Sequence, residues 1–539
     1  MSQQFDFIIV GAGSAGCILA SRLSESGQHR VLLLEAGGKD DSFWFRLPVG
    51  YVKNYYNPQT NWMYYTEPEA NLAGRKLYAP RGKVLGGSGA INAMIYVRGQ
   101  PADFDDWEAA GNPGWGYRDV LPYFRKLENH PAGETQWRSN KGLIGITPMR
   151  EQAHPICQNY LEACQQLGLP LNDDFNAARF EGAGIYEANI RHGERCSSAV
   201  AYLHPALSRP NLTVETHCQA EAILFDAAGR ANGVAVRQNG VTRQFLASKE
   251  VIVAAGAVDS PKLLQLSGIG DAALLQELGI PLRRHLPAVG QNLQDHLCVS
   301  FYYRANCKTL NDELGSLWGQ GMAALRYGLT RKGPLALSVN QAGGFFRGSE
   351  EEERPNLQLY FNPLSYSIPK DARAALKPEP YSGFLVCFNP CRPSSRGSVA
   401  ISSADPARPA SIRPNYLSTD KDRREAVQGS RFIRRLMQAE ALRRITVEEV
   451  SPAGRVDDDD SMLRFFREES GSIYHLCGSC AMGPDPASAV VSHRLQVHGV
   501  AGLRVVDASI FPNITSGNTN APVMMVAEKA AEMILQDWH

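Results

Sequence analysis

An excess of charge of either sign is what this chain most plainly lacks. Its 539 residues carry 55 Lys plus Arg against 55 Asp plus Glu, so net charge is zero before histidine. That leaves no global positive field to recruit nucleic acid, whose binders carry basic faces or stripes. The Arg-rich stretch Arg423 to Arg435 is expected to be one face of a solvated helix. Long apolar runs are missing as well; none approaches the ~18 residues of a membrane span. No Lys or Arg precedes Arg22 and a strand begins by Phe5, so no secretory signal is expected. The eleven cysteines are odd in number and scattered, which suits a reducing compartment better than a disulfide framework. Cys477-Gly478-Ser479-Cys480 has redox-motif spacing, but no thioredoxin-like strand precedes it, and disulfide chemistry is not expected there. There is no internal repeat. The expectation is a cytoplasmic protein, with room only for peripheral contact at the inner face of a membrane.

What is present is organised around Phe5 to Glu35. An apolar run, Phe5 to Val10, leads into Gly11-Ala12-Gly13-Ser14-Ala15-Gly16, a helical pattern to about Ser26, and a second apolar run, Val31 to Leu34. The glycines permit a tight turn and close approach to a pyrophosphate, and the third lets helix and strand pack. The amino end of the helix near Ser14 favours negative charge. Glu35 lies 19 residues past Gly16 at a strand end, placed to accept hydrogen bonds from a ribose diol. Strand, turn, helix, strand and acid in this order predict a βαβ dinucleotide fold. The acid alone does not separate NAD from FAD.

Two later segments read as returns to the same domain. Val251 to Ala255 is a strand, Gly256-Ala257 a turn, and Ser260-Pro261 a helix start that runs to Gly268. Leu503 to Ala508 is a third strand, followed by Gly517 to Pro522 and a helix from Val523 to about Gln536. The nucleotide domain is therefore expected to be discontinuous: residues 1–155, 205–300 and 470–539. Between the returns, Val214 to Arg243 alternates as a hairpin with turns at Gly229 and Asn239-Gly240. Strands are expected at Leu357 to Phe361, Phe384 to Phe388 and Ser398 to Ile401. Helices are expected at Arg423 to Met437 and, behind the acids Asp457 to Asp460, at Ser461 to Glu469. These predict a substrate domain, residues 156–204 and 301–469, built on an antiparallel sheet with helices. The fold class is thus α/β plus α+β. Glu350 to Glu353 is expected to be a solvated loop, and the aromatic cluster Trp62 to Tyr65 to be packing. Pro80 to Gly99, rich in small residues before a helical pattern, signals close backbone approach to something bulky.

Taken together these motifs resemble the glucose–methanol–choline family of FAD-dependent oxidoreductases over essentially the whole chain. Besides Gly11 to Gly16, the carriers are Pro80 to Asn92, Gly256 to Gly270, Val289 to His296, and Val506 to Ser509 with Gly517 to Pro522. The pattern is closest to choline-dehydrogenase-like and alcohol-dehydrogenase-like members. The resemblance implies bound FAD and oxidation of an alcohol by hydride transfer to flavin N5. It implies that Gly11, Gly13, Ser14, Ala15 and Gly16 hold the pyrophosphate, Glu35 and Ala36 the adenosine ribose, and Ala220 the adenine through its backbone. Val84, Gly86, Gly87, Asn92, Ala93 and Met94 would line the flavin and its ribityl chain. Asp507 and Ala508 would close the pyrophosphate side, and Thr519 and Asn520 would offer N–H groups to the flavin N1–C2 edge. His475 would be the general base, with Asn518 as its partner. Ile91 stands where some relatives carry a histidine bonded to flavin, so non-covalent FAD is expected. Leu476 stands where a proline usually follows the catalytic histidine.

The expected partners are a small alcohol, primary and aliphatic or benzylic, and an electron acceptor: quinone, a carrier, or oxygen. No metal and no nucleic acid is expected. The alternatives on the same scaffold are a hydroxynitrile-type lyase, a photodecarboxylase, or a flavin-binding module without turnover.

Overall fold

The structure, a computed structural model, describes residues 4–367, 377–454 and 456–538. The strand Gln4–Val10, helix Ser14–Ser24 and strand Val31–Leu34 follow in the expected order. Phe7 to Val10 and Val31 to Leu34 are buried throughout, as parallel strands covered on both faces must be. Leu212–Glu215 pairs parallel outside Val31–Leu34, and Val241–Val253 pairs parallel on the other side of Gln4–Val10. Leu503–Val505 continues the parallel set beyond it. The first strand is central, and the strand order reverses beside it. A ligand crevice belongs outside the carboxyl ends at such a point. Gly11, Glu35, Ala254 and Val506 are the first residues past those ends.

Three expectations are corrected. The hairpin at Val214 to Arg243 is a three-stranded meander, Cys218–Phe225, Ala231–Gln238 and Val241–Val253, joined edge-on to the parallel strands. Its third strand runs unbroken into the strand expected from Val251, because no Gly, Pro or Asn interrupts residues 243–253. The helix expected from Ser260 starts at Gly256, which leaves Pro261 inside it. Pro261 has no N–H for the carbonyl of Ala257; Ser479 Oγ donates to that carbonyl instead, at 2.5 Å. Finally, Pro80 to Gly99 holds no α-helix. A single 3-10 turn, Gly87–Ala90, gives way to extended chain, with Gly86 and Gly87 at φ +88° and +54°.

The second sheet is antiparallel throughout. Its order is Thr446–Ser451, Leu297–Ala305, Gly383–Pro390, Leu357–Asn362, Ala342–Phe346, Gly182–Ile185. The strand at Ser398 lies outside it, in a ribbon with Ser411–Arg413. Helix Asp420–Met437 buries Ala426, Phe432, Ile433 and Leu436, and Asp459–Glu469 is capped by the Asp458 side chain. Each sheet has its own apolar core.

Candidate active site

A cavity of about 1740 Å³ is lined both by the carboxyl ends of the parallel strands and by the antiparallel sheet. Small-ligand pockets span about 300–1,000 Å³, so this one has room for a dinucleotide and a substrate together. Its wall includes Gly11, Gly13, Ser14, Ala15, Glu35, Ala36, Gly87, Asn92, Ala93, Met94, Ala220, Asp507, Ala508, Thr519 and Asn520, together with His475 and Asn518. Gly16, Val84 and Gly86 are not on the wall; they sit behind it. A Cβ on Gly16 would fall 1.9 Å from the Gly11 carbonyl oxygen, so this glycine packs helix on strand. Gly86 N donates to Ala12 O at 2.8 Å, and Val84 is buried against Phe45, Ala90 and Ile91.

The cradle fits a dinucleotide. A Cβ on Gly87 would lie 2.7 Å from Gly13 Cα, so the two glycine loops touch backbone to backbone. Helices beginning at Ser14, Gly256 and Asn520 all start on the cavity wall and bring N-terminal N–H groups there. Ser14 Oγ donates to Asn520 Oδ1 at 2.7 Å, which ties two of these starts together. Glu35 accepts from Ala12 N (2.9 Å) and Gly37 N (2.8 Å), and the residue also lines the cavity. Burial pushes Glu35 up to about 7 against those two donors. Asp507 accepts from Gly256 N and Ser260 Oγ at 2.8 and 2.6 Å and so fixes a third helix start. Asn92 is held from behind: the buried Arg195 donates to its Oδ1 and to its carbonyl, both at 2.7 Å. Burial lowers Arg195 to about 9.

At the other end of the cavity, His475 Nδ1 lies 2.9 Å from His296 Nδ1, and His296 Nε2 lies 2.8 Å from the carbonyl of Cys391. A carbonyl can only accept, so His296 carries its proton on Nε2. Burial pushes His296 down to about 4, so the ring is neutral and its Nδ1 is an acceptor. His475 must then donate from Nδ1, which leaves the lone pair on Nε2. Asn518 Nδ2 is 3.3 Å from that nitrogen. The amide is oriented from its other side, where Gln358 Nε2 (3.2 Å) and Tyr360 OH (3.5 Å) face Asn518 Oδ1. Burial, then His296 and Arg81, hold His475 well below the ordinary histidine value. Its backbone is fixed by Asp295, which accepts from His475 N at 2.7 Å and from Tyr416 OH and Ser472 Oγ. Leu476, in place of proline, fills an apolar cluster with Leu293, Val399 and Ile412.

The strand residues on the sheet wall facing this centre are uncharged, while Lys377 and Glu379, beside Tyr366, also line the cavity. Cys298, Ser300, Tyr302, Tyr360, Asn362 and Cys387 line that wall, and Tyr366 and Leu364 extend it. Trp62 and Tyr65 of the aromatic cluster also line the cavity, whereas Tyr64 is buried with its OH on Asp259. Reading the sequence did not single out His296, Asp295, Arg195, Gln358 or Tyr360. The first two stand in the Val289–His296 motif, which was the available signal; the others lie outside every motif.

The GMC oxidoreductase family model matches residues 5–298, and a second GMC oxidoreductase model matches residues 393–527. An oxygen-dependent choline dehydrogenase of Photobacterium profundum is 40% identical over 99% of this chain and 94% of its own length. An alcohol dehydrogenase [acceptor] of Pseudomonas putida is 40% identical over 99% of this chain and 96% of that protein. Among solved structures, an Aspergillus oryzae formate oxidase studied for its FAD modification superposes with a TM-score of 0.91, at 28% identity over 99% of both chains.

Proposed function

The chain belongs to the GMC oxidoreductase family, and from that premise we propose that it oxidises a neutral primary alcohol to its aldehyde with His475 as general base. It is an FAD-dependent enzyme acting on CH–OH donors, as its relatives at about 40% identity are. Bound FAD supplies a two-electron acceptor for the hydride that leaves the carbinol carbon. The protein's part is to hold both partners and to move one proton. Gly11, Gly13, Ser14, Ala15, Asp507 and Ala508 form the pyrophosphate seat, Glu35 and Ala36 take the ribose, and Ala220 meets the adenine. Asn92, Ala93, Met94, Thr519 and Asn520 border the ring system. Ile91 offers no nucleophile, so the cofactor is held without a covalent link.

His475 Nε2 takes the hydroxyl proton, and Asn518 Nδ2 donates to the same oxygen. An oxygen set near 3 Å from both groups would fit, since the two nitrogens are 3.3 Å apart. A base of this kind lets the C–H bond break as the O–H proton leaves, and the neutral amide orients the carbinol without competing for the proton. The single observation that carries the proposal is the donor–acceptor chain from the Cys391 carbonyl through His296, which ends in a lone pair on His475 Nε2.

The uncharged strand residues set the substrate class. A buried quaternary ammonium would want a counter-charge or a cage of aromatic faces; the strand residues Cys298, Ser300, Tyr302, Tyr360, Asn362 and Cys387 supply no carboxylate, and the cavity's Glu379 stands outside these strands. An aliphatic or benzylic body fits their surfaces. Electrons then pass to quinone or a carrier in preference to oxygen. We place the enzyme in the cytoplasm, in contact with the inner face of a membrane. The two separate sheets support division into an FAD domain (1–155, 205–300, 470–539) and a substrate domain (156–204, 301–469), with the strand Leu297–Ala305 of the second sheet crossing that boundary. A panel of choline, benzyl alcohol and medium-chain primary alcohols, with a dye acceptor, tests the reading. Benzyl or medium-chain alcohols should have the higher kcat/KM; choline ahead of both would overturn it.

A further inference from the structure

The outer face of one helix is left over from everything above. Leu317–Thr330 buries only Ala323 and Tyr327. Leu317, Trp318 and Leu329 are 88%, 79% and 76% exposed, and Met322 and Leu325 are exposed as well. An apolar helix face of this kind does not stay in water without a function. The opposite side of the same helix is cavity wall: Gln320, Ala324 and Gly328 line it. Phe43 and Trp44, both exposed and both on the cavity wall, continue the apolar rim. The two segments are fastened together, since Leu47 packs with Tyr327, and Glu194 pairs with both Arg46 and Arg331.

We propose that this rim is a docking surface for an anionic lipid bilayer, with the Leu317–Thr330 helix lying in the interface and the cavity opening against it. The charge distribution chooses the partner. No Asp or Glu occurs between Glu313 and Glu350, while Arg326, Arg331 and Lys332 follow one another along and just past the helix. Apolar residues with Trp on one side and Lys or Arg beside them are what an interfacial helix needs. A second copy of the chain fits less well, because a symmetric pair would set Arg326 and Lys332, cations with no ion-pair partner among the described residues, against themselves. The inference deepens the functional reading by naming the surface at which a lipid-soluble alcohol or quinone reaches the cavity, and it rests on that reading for this use alone.

The test is co-sedimentation of the FAD-loaded enzyme with vesicles of phosphatidylcholine, with and without phosphatidylglycerol. Wild type should bind the phosphatidylglycerol vesicles, weakly at high salt, and Trp318→Glu with Leu329→Glu should abolish binding. Arg326→Gln with Lys332→Gln removes charge alone and should weaken partition by roughly five-fold for each cation lost. Neither pair lines the cavity, so dye-linked turnover should equal wild type. Absence of wild-type binding, or binding unchanged in both variants, overturns the proposal. So does light scattering that shows a dimer which the Glu variant splits. Vesicle binding is read without turnover, so failure of the redox reading would not register here as failure of docking.

Discussion

A neutral imidazole has one proton for two nitrogens, and in this site the protein decides which nitrogen keeps it. The Cys391 carbonyl fixes His296, His296 fixes His475, and the lone pair ends at Nε2 beside Asn518. Burial, His296 and Arg81 all disfavour the imidazolium, so His475 is depressed. A depressed base stays deprotonated below the ordinary histidine value of ~6.5. We expect kcat/KM for alcohol to be flat through neutrality, with its acid limb below that value; an acid limb above it would contradict the assignment. Glu35 gives a second prediction. It already accepts from Ala12 N and Gly37 N, so Glu35→Gln would turn an NH2 group toward one of those donors. FAD affinity should fall by roughly 1.5–3 kcal/mol, read by flavin titration, with turnover at saturating FAD near wild type. A large rate loss at full occupancy would mean that the carboxylate serves chemistry. At this scale the positions of Asn518 and Glu35 on the cavity wall were legible because each sits in a multi-residue motif, and that of His475 through the family resemblance alone. Arg195, Gln358 and Tyr360 were not, since each acts through a contact made only by folding: Arg195 is 103 residues from Asn92, and Gln358 is 160 from Asn518.

Among the elements, the helix Gly256–Leu266 shows what a local signal can mislead about. Ser260-Pro261 looks like a helix start, yet the helix begins at Gly256 and tolerates Pro261 because Ser479 caps the orphaned Ala257 carbonyl. The redox-like spacing of Cys477 to Cys480 therefore encloses a structural serine. Ser479→Ala would leave a buried carbonyl unpaired and should cost about 1–3 kcal/mol, visible as a lower thermal midpoint of the FAD-loaded protein. An unchanged midpoint would show that water or backbone shift replaces the bond. The first βαβ unit, the strands at Leu357 and Gly383, and the helices Asp420–Met437, Asp459–Glu469 and Asn520–Asp537 were legible from periodicity, to within a few residues; the strands Gly182–Ile185, Leu297–Ala305, Ala342–Phe346 and Thr446–Ser451 and the helix Leu317–Thr330 were not picked out. The long Val241–Val253 strand was not, because its two halves serve different neighbours: antiparallel to Ala231–Gln238, then parallel to Leu503–Val505.

For the whole molecule, three chain segments far apart in sequence meet on one cavity, and the antiparallel sheet closes it with an uncharged face. The two returns of the chain to the parallel sheet, at Val251 and Leu503, could be anticipated from the motifs, whereas the outer parallel strand Leu212–Glu215 could not. The character of the closing face could not, because alternation within Leu297–Ala305 and Leu357–Asn362 shows two faces and not which one looks at the cavity. Ile91, apolar and buried at that cavity, predicts that acid precipitation will release the flavin to the supernatant. A yellow pellet that survives denaturation would contradict this. The central claim is that His475 takes the proton that lets an alcohol give up its hydride, and anaerobic stopped-flow in the dark addresses it directly. Mixed with benzyl alcohol, the wild type should bleach its oxidised flavin band, and His475→Ala, with its FAD retained, should do so roughly 10²–10⁴-fold more slowly. Bleaching of the variant at the wild-type rate would contradict the account.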